Sequence, residues 1–200
     1  MVTGVGLMLV SADGSLRYVG ATDESAQALE RAQEDLGEGP CVDCFVLATP
    51  VATSDLVSDP RWPDLAGLVA GEGIGAVMGI PTLLTGQPVG SLNVYRGDAY
   101  EWDDSDAAAV AGFNLILEGL LGRAVAARRD ELVVSQLQVA LDRRVMIERA
   151  VGALMERHGT SAVTSFTALR RAARDRREAV SRVAADVLDG ADVPVGPAVR

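Results

Sequence analysis

The sequence predicts an α+β fold class with two parts: an antiparallel sheet with flanking helices and, after it, an all-α three-helix bundle. Glycine and proline are concentrated in the first part. Seventeen of the 21 Gly lie in residues 1–122, and no proline occurs between Pro88 and Pro194. A proline-free stretch of that length permits long helices, since proline breaks a helix interior. Along the chain, the apolar residues change from short runs to a spacing of three and four, which is typical of helix faces.

Length and composition are those of an ordinary globular protein. The chain has 200 residues, 48% of them hydrophobic and 23% charged, which is enough to bury a sizeable core. No uninterrupted apolar stretch approaches the roughly 18 residues of a membrane span, and the N-terminus has no basic segment of a secretory signal. Two Cys cannot form a disulfide framework. We therefore expect a soluble cytoplasmic protein with no membrane partner.

Charge is divided unevenly along the chain. The net charge is −10, and all 18 basic residues are Arg. Residues 1–127 hold 5 Arg against 18 acidic residues, whereas residues 128–200 hold 13 Arg against 10. An acidic part joined to a basic part indicates two separate roles.

Short apolar runs and turn signals predict the strands of the first part. Val5–Val10 and Leu16–Val19 are separated by a Ser-Ala-Asp-Gly turn signal, which predicts a β-hairpin. Ile74–Ile80 and Val89–Tyr95 are joined through a Gly-Gln-Pro turn and predict two further strands. Strands interleaved with short helices indicate an antiparallel sheet.

The segments between these strands are predicted as helices and loops. Asp23–Asp35 has the spacing of an amphipathic helix, and Gly37 can end it. Leu65–Val69 predicts a second, short helix. Leu36–Phe45 and Leu56–Pro63 are rich in Gly or Pro, and we expect both to be loops.

A long helix is expected to follow the sheet. Asp103-Asp104-Ser105 is a good helix start, with carboxylates near the positive end of the helix dipole. The apolar positions that continue it are Val110, Phe113, Leu117, Leu120, Leu121, Ala124 and Val125. The pattern falters at residues 128–131 and resumes at Leu132, Leu137 and Leu141, so residues 128–142 are predicted as a connecting helix that can pair with a second chain.

Three amphipathic stripes in residues 143–188 predict a small bundle. The stripes are Ile147, Ala150, Val151, Leu154 and Met155; then Ala162, Phe166, Leu169 and Ala173; then Val180, Val183, Ala184, Val187 and Leu188. Ser161 is a candidate N-cap, and Gly190 can follow the last helix. Ala150, Gly152, Ala173 and Ala184 are small enough to let helices approach closely. Residues 189–200 are expected to be a flexible tail.

Arginines lie on the faces opposite these stripes. They are Arg143, Arg144, Arg149, Arg157, Arg170, Arg171, Arg174, Arg176, Arg177 and Arg182. A guanidinium binds phosphate through two parallel hydrogen bonds and can stack on a base, so the face suits a nucleic acid. The alternative is a solvated face neutralised by the acidic residues Glu148, Glu156, Asp175 and Glu178.

The stretch Ala140–Leu188 resembles an ANTAR domain. The resemblance rests on Ala140-Leu141, Arg144, Ile147, Ala150, Gly152, Leu154-Met155, Phe166, Leu169-Arg170, Ala173 and Val183-Ala184. It departs from the usual pattern at Val151, where Lys is usual, at Ser165, where Ala is usual, and at Arg177, where Asn is common. The resemblance implies a three-helix RNA-binding domain, here residues 143–188, that binds paired hairpins and prevents a terminator from forming. With the arginine pattern, it assigns RNA binding to Arg144, Arg149, Arg170, Arg174 and Arg177.

Residues 1–127 resemble the GAF domain that precedes ANTAR in actinobacterial regulators. The residues that carry this resemblance are Leu36-Gly37-Glu38-Gly39-Pro40-Cys41, Asp55-Leu56, Asp59-Pro60-Arg61-Trp62-Pro63, Gly73 and Gly90-Ser91-Leu92-Asn93-Val94-Tyr95. The resemblance implies a sensor with an antiparallel sheet that takes an unknown small-molecule or protein signal and forms a homodimer through flanking helices. The usual leading helix is absent from this sequence, because Met1 stands just before the first predicted strand.

Reactive side chains are few. Cys41 and Cys44 form a lone C-x-x-C, whereas a structural zinc site needs four ligands, so no metal is expected. Loop cysteines and a redox pair remain the two interpretations. Trp62 either lines a ligand pocket or covers the edge of the sheet. His158 stands before a glycine at a helix end, where it can cap the last carbonyl groups.

No catalytic constellation is present in the sequence. The chain has no Lys, which excludes the phosphate-binding lysine of a Walker A motif, and the single His has no Ser and Asp pattern around it. We therefore expect no enzyme activity and no cofactor.

The sequence thus favours an RNA-binding transcription antitermination regulator that couples a signal at the GAF-like part to hairpins in a nascent transcript. The alternative is a DNA-binding or protein-interaction regulator in which the last two helices act as a helix-turn-helix. The stretch Glu178–Leu188 offers mainly Ser181 and Arg182 for reading bases, which counts against that alternative.

Overall fold

The computed structural model describes residues 1–11, 13–127 and 131–195, but not the side chains of 127 and 131–142. The chain divides into two compact units. Residues 1–9 and 16–127 form the first, here called the sheet unit; Val10–Ser15 is grouped with residues 131–195 in the second, here called the helical unit. Parts of two predictions lie outside the described residues: residues 128–130 of the connecting helix, with the side chains of Leu132, Leu137 and Leu141, and residues 196–200 of the tail.

A five-stranded antiparallel sheet with the order β2-β1-β5-β4-β3 forms the centre of the sheet unit. Its strands are β1 (Gly4–Val10), β2 (Leu16–Ala21), β3 (Val51–Thr53), β4 (Ala76–Leu84) and β5 (Gln87–Arg96). The helices of this unit are α1 (Glu24–Leu36), α2 (Pro40–Leu47), α3 (Pro63–Leu68) and α4 (Asp104–Ala127). The predicted α+β fold class is confirmed.

Most predicted elements of the sheet unit form. The hairpin is β1 and β2, and the two later strands are β4 and β5. The predicted first helix is α1, where Asp23 accepts the N–H of Ala26 and Gly37 takes a left-handed conformation with φ 73°. The prediction of a loop over Leu36–Phe45 is wrong, because α2 begins at Pro40. β3 was not predicted at all.

The two faces of the sheet are covered by different helices. Alternate side chains of a strand point to opposite faces. On β5, Tyr95 packs in one core cluster with Leu29 of α1 and Leu65 of α3. Its neighbour Val94 packs in a second cluster with Val110 of α4. The helices α1, α2 and α3 therefore share one face, and α4 covers the other.

Two glycines let α1 and α2 approach the sheet closely. Gly6 of β1 and Gly79 of β4 both pair with Asn93 of the central strand β5. A Cβ atom at Gly6 would collide with the Glu30 carboxyl, and one at Gly79 would lie 3.2 Å from the Pro40 carbonyl oxygen. The row Gly6–Asn93–Gly79 is therefore a shallow groove in which the polar groups of two helices lie.

One side of α4 is fixed to the sheet by polar bonds. Thr82 Oγ1 donates to Asn114 Oδ1 at 2.8 Å, and the Leu83 N–H donates to Glu118 Oε1 at 2.6 Å. The other side is apolar and exposed. By length and mean hydropathy alone, Asp104–Ala126 is apolar enough to cross a membrane, although polar residues interrupt its apolar runs. Its bonds to β4 show that this helix is part of the sheet unit.

The helical unit is a bundle of α5 (Glu131–His158), α6 (Ala162–Arg176) and α7 (Val180–Leu188). The three predicted stripes form its core, which includes Ile147, Leu154, Phe166, Leu169 and Val183. Ser161 is the N-cap of α6, as predicted, because its hydroxyl accepts the Thr164 N–H. Three positions differ: Met155 and Leu188 are partly exposed, and Gly152 faces solvent with no atom within 4 Å of a Cβ built there.

The segment after α7 packs against the bundle as far as Val193, whereas we had predicted a flexible tail from residue 189. Val193 is buried, and Asp192 Oδ1 lies 2.8 Å from His158 Nε2 and 3.3 Å from Arg157 Nη1. Arg157 also donates to the Ala191 carbonyl oxygen at 2.7 Å. His158 therefore binds a carboxylate of the tail rather than only capping its own helix. We call these contacts the tail clamp.

Candidate nucleic-acid interface

Arg144, the first of the five predicted RNA-binding residues, is buried. Its side chain is 8% exposed, and its Nε lies 2.8 Å from Glu148 Oε1, one helical turn away. Burial lowers the pKa of the Arg144 guanidinium, and the pairing with Glu148 opposes that change. The assignment of Arg144 to the RNA-binding surface therefore needs correction, because its guanidinium is held inside the bundle.

The other four predicted residues reach the surface to different degrees. Arg149 is exposed on α5, and Arg174 is exposed on α6. Arg170 lies one turn before Arg174 and is half-buried. Arg177 is exposed, but it does not lie on the helix face that carries Arg170 and Arg174, because α6 ends at Arg176. The structure thus keeps Arg149, Arg170, Arg174 and Arg177 as candidates.

The backbone of Arg177 has an uncommon conformation. Its φ is 56° and its ψ 40°, in the left-handed region, where it ends α6. The Glu178 N–H donates to the Ala173 carbonyl oxygen at 2.9 Å, which closes the helix end. Asn and Gly adopt the left-handed region more readily than Arg, which is a physical reason for Asn to be common at this position.

A second group of arginines is paired within the helical unit. Arg176 Nη1 lies 3.4 Å from Asp186 Oδ2, and Arg182 Nε lies 3.7 Å from Asp186 Oδ1. Arg157 belongs to the tail clamp. Neither Asp186 nor Asp192 is among the predicted partners, although the spacing of four between Arg182 and Asp186 is a detectable helical pair.

The last helix offers little for reading bases. Ser181 of α7 is buried, and Arg182 is paired with Asp186. Val180, Val183 and Val187 face the bundle core. A helix-turn-helix would need exposed polar side chains at these positions.

Polar groups in the sheet unit form a small open cleft of about 220 Å³. Thr53, Asp59, Arg61 and Trp102 line it, and Arg61 Nη2 lies 2.6 Å from Asp59 Oδ2. Burial favours the neutral acid at Asp59, but hydrogen bonds from Arg61 outweigh this and lower the pKa of Asp59 to about 2. Asp59 and Arg61 at the cleft are thus already paired with each other.

Trp62 lies in the core and does not line this cleft. It is fully buried beside Leu29 and Cys44, and its Nε1 donates to Asp43 Oδ2 at 3.0 Å. Burial raises the pKa of Asp43 to about 6, and the hydrogen bond from Trp62 opposes that change. Trp62 therefore anchors the Pro-flanked loop onto the sheet unit.

The two cysteines are free thiols inside the fold. Both lie in α2 and are buried, and burial raises the pKa of each thiol. Gln33 donates its Nε2 to Cys41 Sγ at 2.6 Å and accepts the Cys41 N–H at 2.9 Å. Their placement in a loop was wrong, and the redox interpretation stays a prediction. Within the described ranges, no three His, Cys, Asp or Glu side chains are grouped so as to hold a metal ion.

Two domain-family models match the chain. The ANTAR domain model matches residues 135–188, and the GAF domain model matches residues 2–118. No curated protein matches the chain closely enough to count as a relative.

Two of the solved structures that resemble the chain have TM-scores just above 0.5. A domain of a two-component sensor histidine kinase protein from Sinorhizobium meliloti 1021 has 21% identity and a TM-score of 0.52, and the match covers 64% of this chain and 85% of that one. The GAF3 domain of a Synechocystis protein in its photoproduct state has 15% identity and a TM-score of 0.51, covering 64% and 87%. At such identities, these likenesses show the fold alone.

Proposed function

The chain belongs to the GAF domain family and carries an ANTAR domain after its GAF domain, and from this pairing we propose that it is a transcription antitermination regulator of the actinobacterial type. In this proposal the sheet unit receives a small-molecule or protein signal in the cytoplasm, and the helical unit binds hairpins in a nascent transcript. The match over residues 135–188 carries the proposal, because it spans almost all of α5, α6 and α7.

The charge distribution supports this division of roles. Residues 143–182 hold 10 Arg against 4 acidic residues, and residues 1–127 hold 5 Arg against 18. Phosphate groups attract the first part and repel the second, so RNA is directed to the helical unit.

The exposed arginines are the proposed contacts. Arg149, Arg174 and Arg177 present their side chains to solvent, and Arg170 supports them from one turn away on α6. The bundle has few aromatic residues, so we expect phosphate contacts and guanidinium stacking to dominate recognition of the looped bases. Arg144 takes a different role: its guanidinium is buried and paired with Glu148 one turn later on the same helix.

A pair of triple variants tests this assignment. Replacing Arg149, Arg174 and Arg177 with Gln should weaken binding of tandem stem-loop RNAs with randomised loops by at least about tenfold at low salt, and each lost phosphate contact should lower the salt slope by about 1. Gel-shift titrations of the full chain at several salt concentrations measure both.

The control triple variant replaces Arg157, Arg176 and Arg182 with Gln and so removes the same charge from side chains that contact Asp186 or Asp192. We expect it to retain most of the affinity. Equal losses in both triple variants would show that only net charge matters and would overturn the residue assignment. Stronger binding to duplex DNA than to the stem-loops would favour the alternative DNA-binding function.

The unpaired side of α4 supports a homodimer. Phe113, Ile116 and Leu120 are more than half exposed on this side, and Leu115 lies at its edge. Gly112 and Gly119 lie on the same side, seven residues apart, with no atom within 4 Å of a Cβ built on either. Phe113 and Leu120 repeat at the same spacing. Large side chains and glycine notches that repeat every two turns are complementary to a second copy of the same helix.

A further inference from the structure

Glu30 is a carboxyl group enclosed between α1 and the sheet. The residue is 1% exposed, and the Asn93 amide of β5 donates to its Oε1 at 2.8 Å. Its Oε2 is also buried, and among the described residues no donor reaches that atom with ordinary hydrogen-bond geometry. Gly6 lies directly beneath the carboxyl and leaves no space for a further side chain. Oε2 of Glu30 thus lacks the hydrogen bonds that would stabilise a negative charge on the carboxylate.

In the part of the chain that the structure describes, no positively charged side chain acts on Glu30. β1 presents Gly6, β5 presents the neutral amide of Asn93, and α2 presents the Cys41 thiol. Of the residues that the structure describes, Cys41 is the only titratable group acting on this carboxyl. A buried carboxylate without a cation is strongly unfavourable, and such a group takes up a proton instead.

We propose that Glu30 is a proton-binding site at the centre of the sheet unit, and that this unit is assembled around the neutral carboxylic acid. When the proton leaves for solvent, the carboxylate that remains can be hydrated only if α1 separates from β1 and β5. Loss of the proton therefore weakens the contact between α1 and the sheet. The site is independent of RNA binding, so neither proposal depends on the other.

The proton is exchanged close to neutral pH. Burial raises the pKa of Glu30 to about 8, while the hydrogen bond from Asn93 and the neighbouring Cys41 thiol oppose the rise. Burial raises the pKa of Cys41 further, well above its ordinary value, so the thiol stays protonated while Glu30 titrates. A small change of pH around neutrality thus alters the fraction of folded protein that holds this proton.

The direct test is a carboxyl titration of the full chain labelled with ¹³C at the Glu side-chain carbon. The resonance that disappears in the E30Q variant belongs to Glu30, and we expect it to titrate near pH 8. Exposed Glu residues should titrate near their ordinary pKa of about 4.3. If every Glu resonance titrated in that ordinary range, the proposal would be overturned. Should E30Q not fold, backbone assignment identifies the resonance and the wild-type titration decides.

A second measurement tests the link to stability. Both Trp residues, Trp62 and Trp102, lie in the sheet unit, so tryptophan fluorescence follows its unfolding alone. From pH 5.5 to 7, the unfolding equilibrium constant of the wild type should rise by close to tenfold per pH unit relative to E30Q, because the folded state holds a proton that the unfolded state does not. Gln keeps the acceptor for Asn93 and carries no charge.

The matched control is E24Q, the same substitution in the first turn of the same helix, where the side chain is exposed. E24Q should keep the wild-type dependence on pH. If the unfolding equilibrium constants of the wild type and E30Q changed equally with pH, the proposal would be contradicted.

Discussion

The left-handed backbone at Arg177 places a charged residue in a conformation that favours Asn or Gly. In this region of backbone conformation, the conformational free energy of a residue with a Cβ atom is about 1 kcal/mol less favourable than that of Gly. We infer that the positive charge is retained here at the expense of the stability of the α6 end.

Arg177→Gly should therefore raise the free energy of unfolding of the helical unit by about 1 kcal/mol while weakening RNA binding. Thermal unfolding followed by helix circular dichroism, together with gel shifts, separates the two effects. The matched control is Arg176→Gly, one residue earlier at a helical position, which should lower stability by a similar amount. Destabilisation by both variants would show that the conformation at Arg177 is not strained.

The arginine positions show what could be predicted at single residues. The sequence placed the apolar stripes and the N-cap Ser161 correctly, because both depend on local spacing and local hydrogen bonds. It could not show that Arg144 is buried, because that depends on how the bundle closes around α5. The pairing of Arg157 with Asp192 joins residues 35 apart along the chain, which no local pattern reveals.

Among the elements, α4 has one side bonded to the sheet and the other side uncovered. Asn114 and Glu118 fix the first side to β4, so the apolar side cannot rotate inward to hide. In water an exposed apolar patch of this kind marks an interaction site. This is the physical basis of the proposed homodimer.

Ile116→Glu should convert the homodimer to a monomer, because two carboxylates would face each other at the centre of the interface. Sedimentation equilibrium measures the change in mass, and the tryptophan fluorescence of the sheet unit should stay the same, since Ile116 is exposed in the single chain. Leu115→Glu, at the edge of the same side, is the control and should remain dimeric. A wild-type protein that sediments as a monomer would refute the homodimer.

The missed elements, α2 and β3, share a physical cause. α2 has no polar face, because Pro40 to Phe45 are all buried, so it lacks the periodicity that identifies a surface helix. Proline is common at the first position of a helix, which Pro40 occupies in α2, but the sequence Gly-Pro is equally common in loops. β3 has only three residues and exists because β4 offers it a partner. Both are decided by tertiary contacts.

For the whole molecule, buried acids set how stability depends on pH. Burial raises the pKa of Glu30 to about 8 and that of Asp43 to about 6. Each of these stabilises the fold while protonated, and this contribution is lost as pH rises from the ordinary value of the unfolded group through the raised value. Asp59, with its pKa lowered to about 2, acts in the opposite sense, since its contribution is lost as pH falls toward 2.

The sheet unit should therefore be most stable near pH 4 to 5 and lose stability toward neutral pH, by about 1.4 kcal/mol per pH unit for each titrating group. The fall should be about twice as steep below pH 6, where Asp43 and Glu30 both titrate, as between pH 6 and 8. Urea unfolding followed by tryptophan fluorescence measures this profile. Asp43→Asn should remove the steeper portion, and a stability that rises from pH 5 to 8 would contradict the prediction.

The tail clamp also determines where the protein can be cut or fused. Leu188 is the last helical residue and the obvious place to truncate or to attach a reporter, but a chain ended there lacks the carboxylate that binds Arg157 and His158 at the end of α5. It also lacks the valine that seals the bundle beneath them. A shortened version made to study the basic bundle by itself should therefore extend past Val193, with any purification handle placed beyond that point.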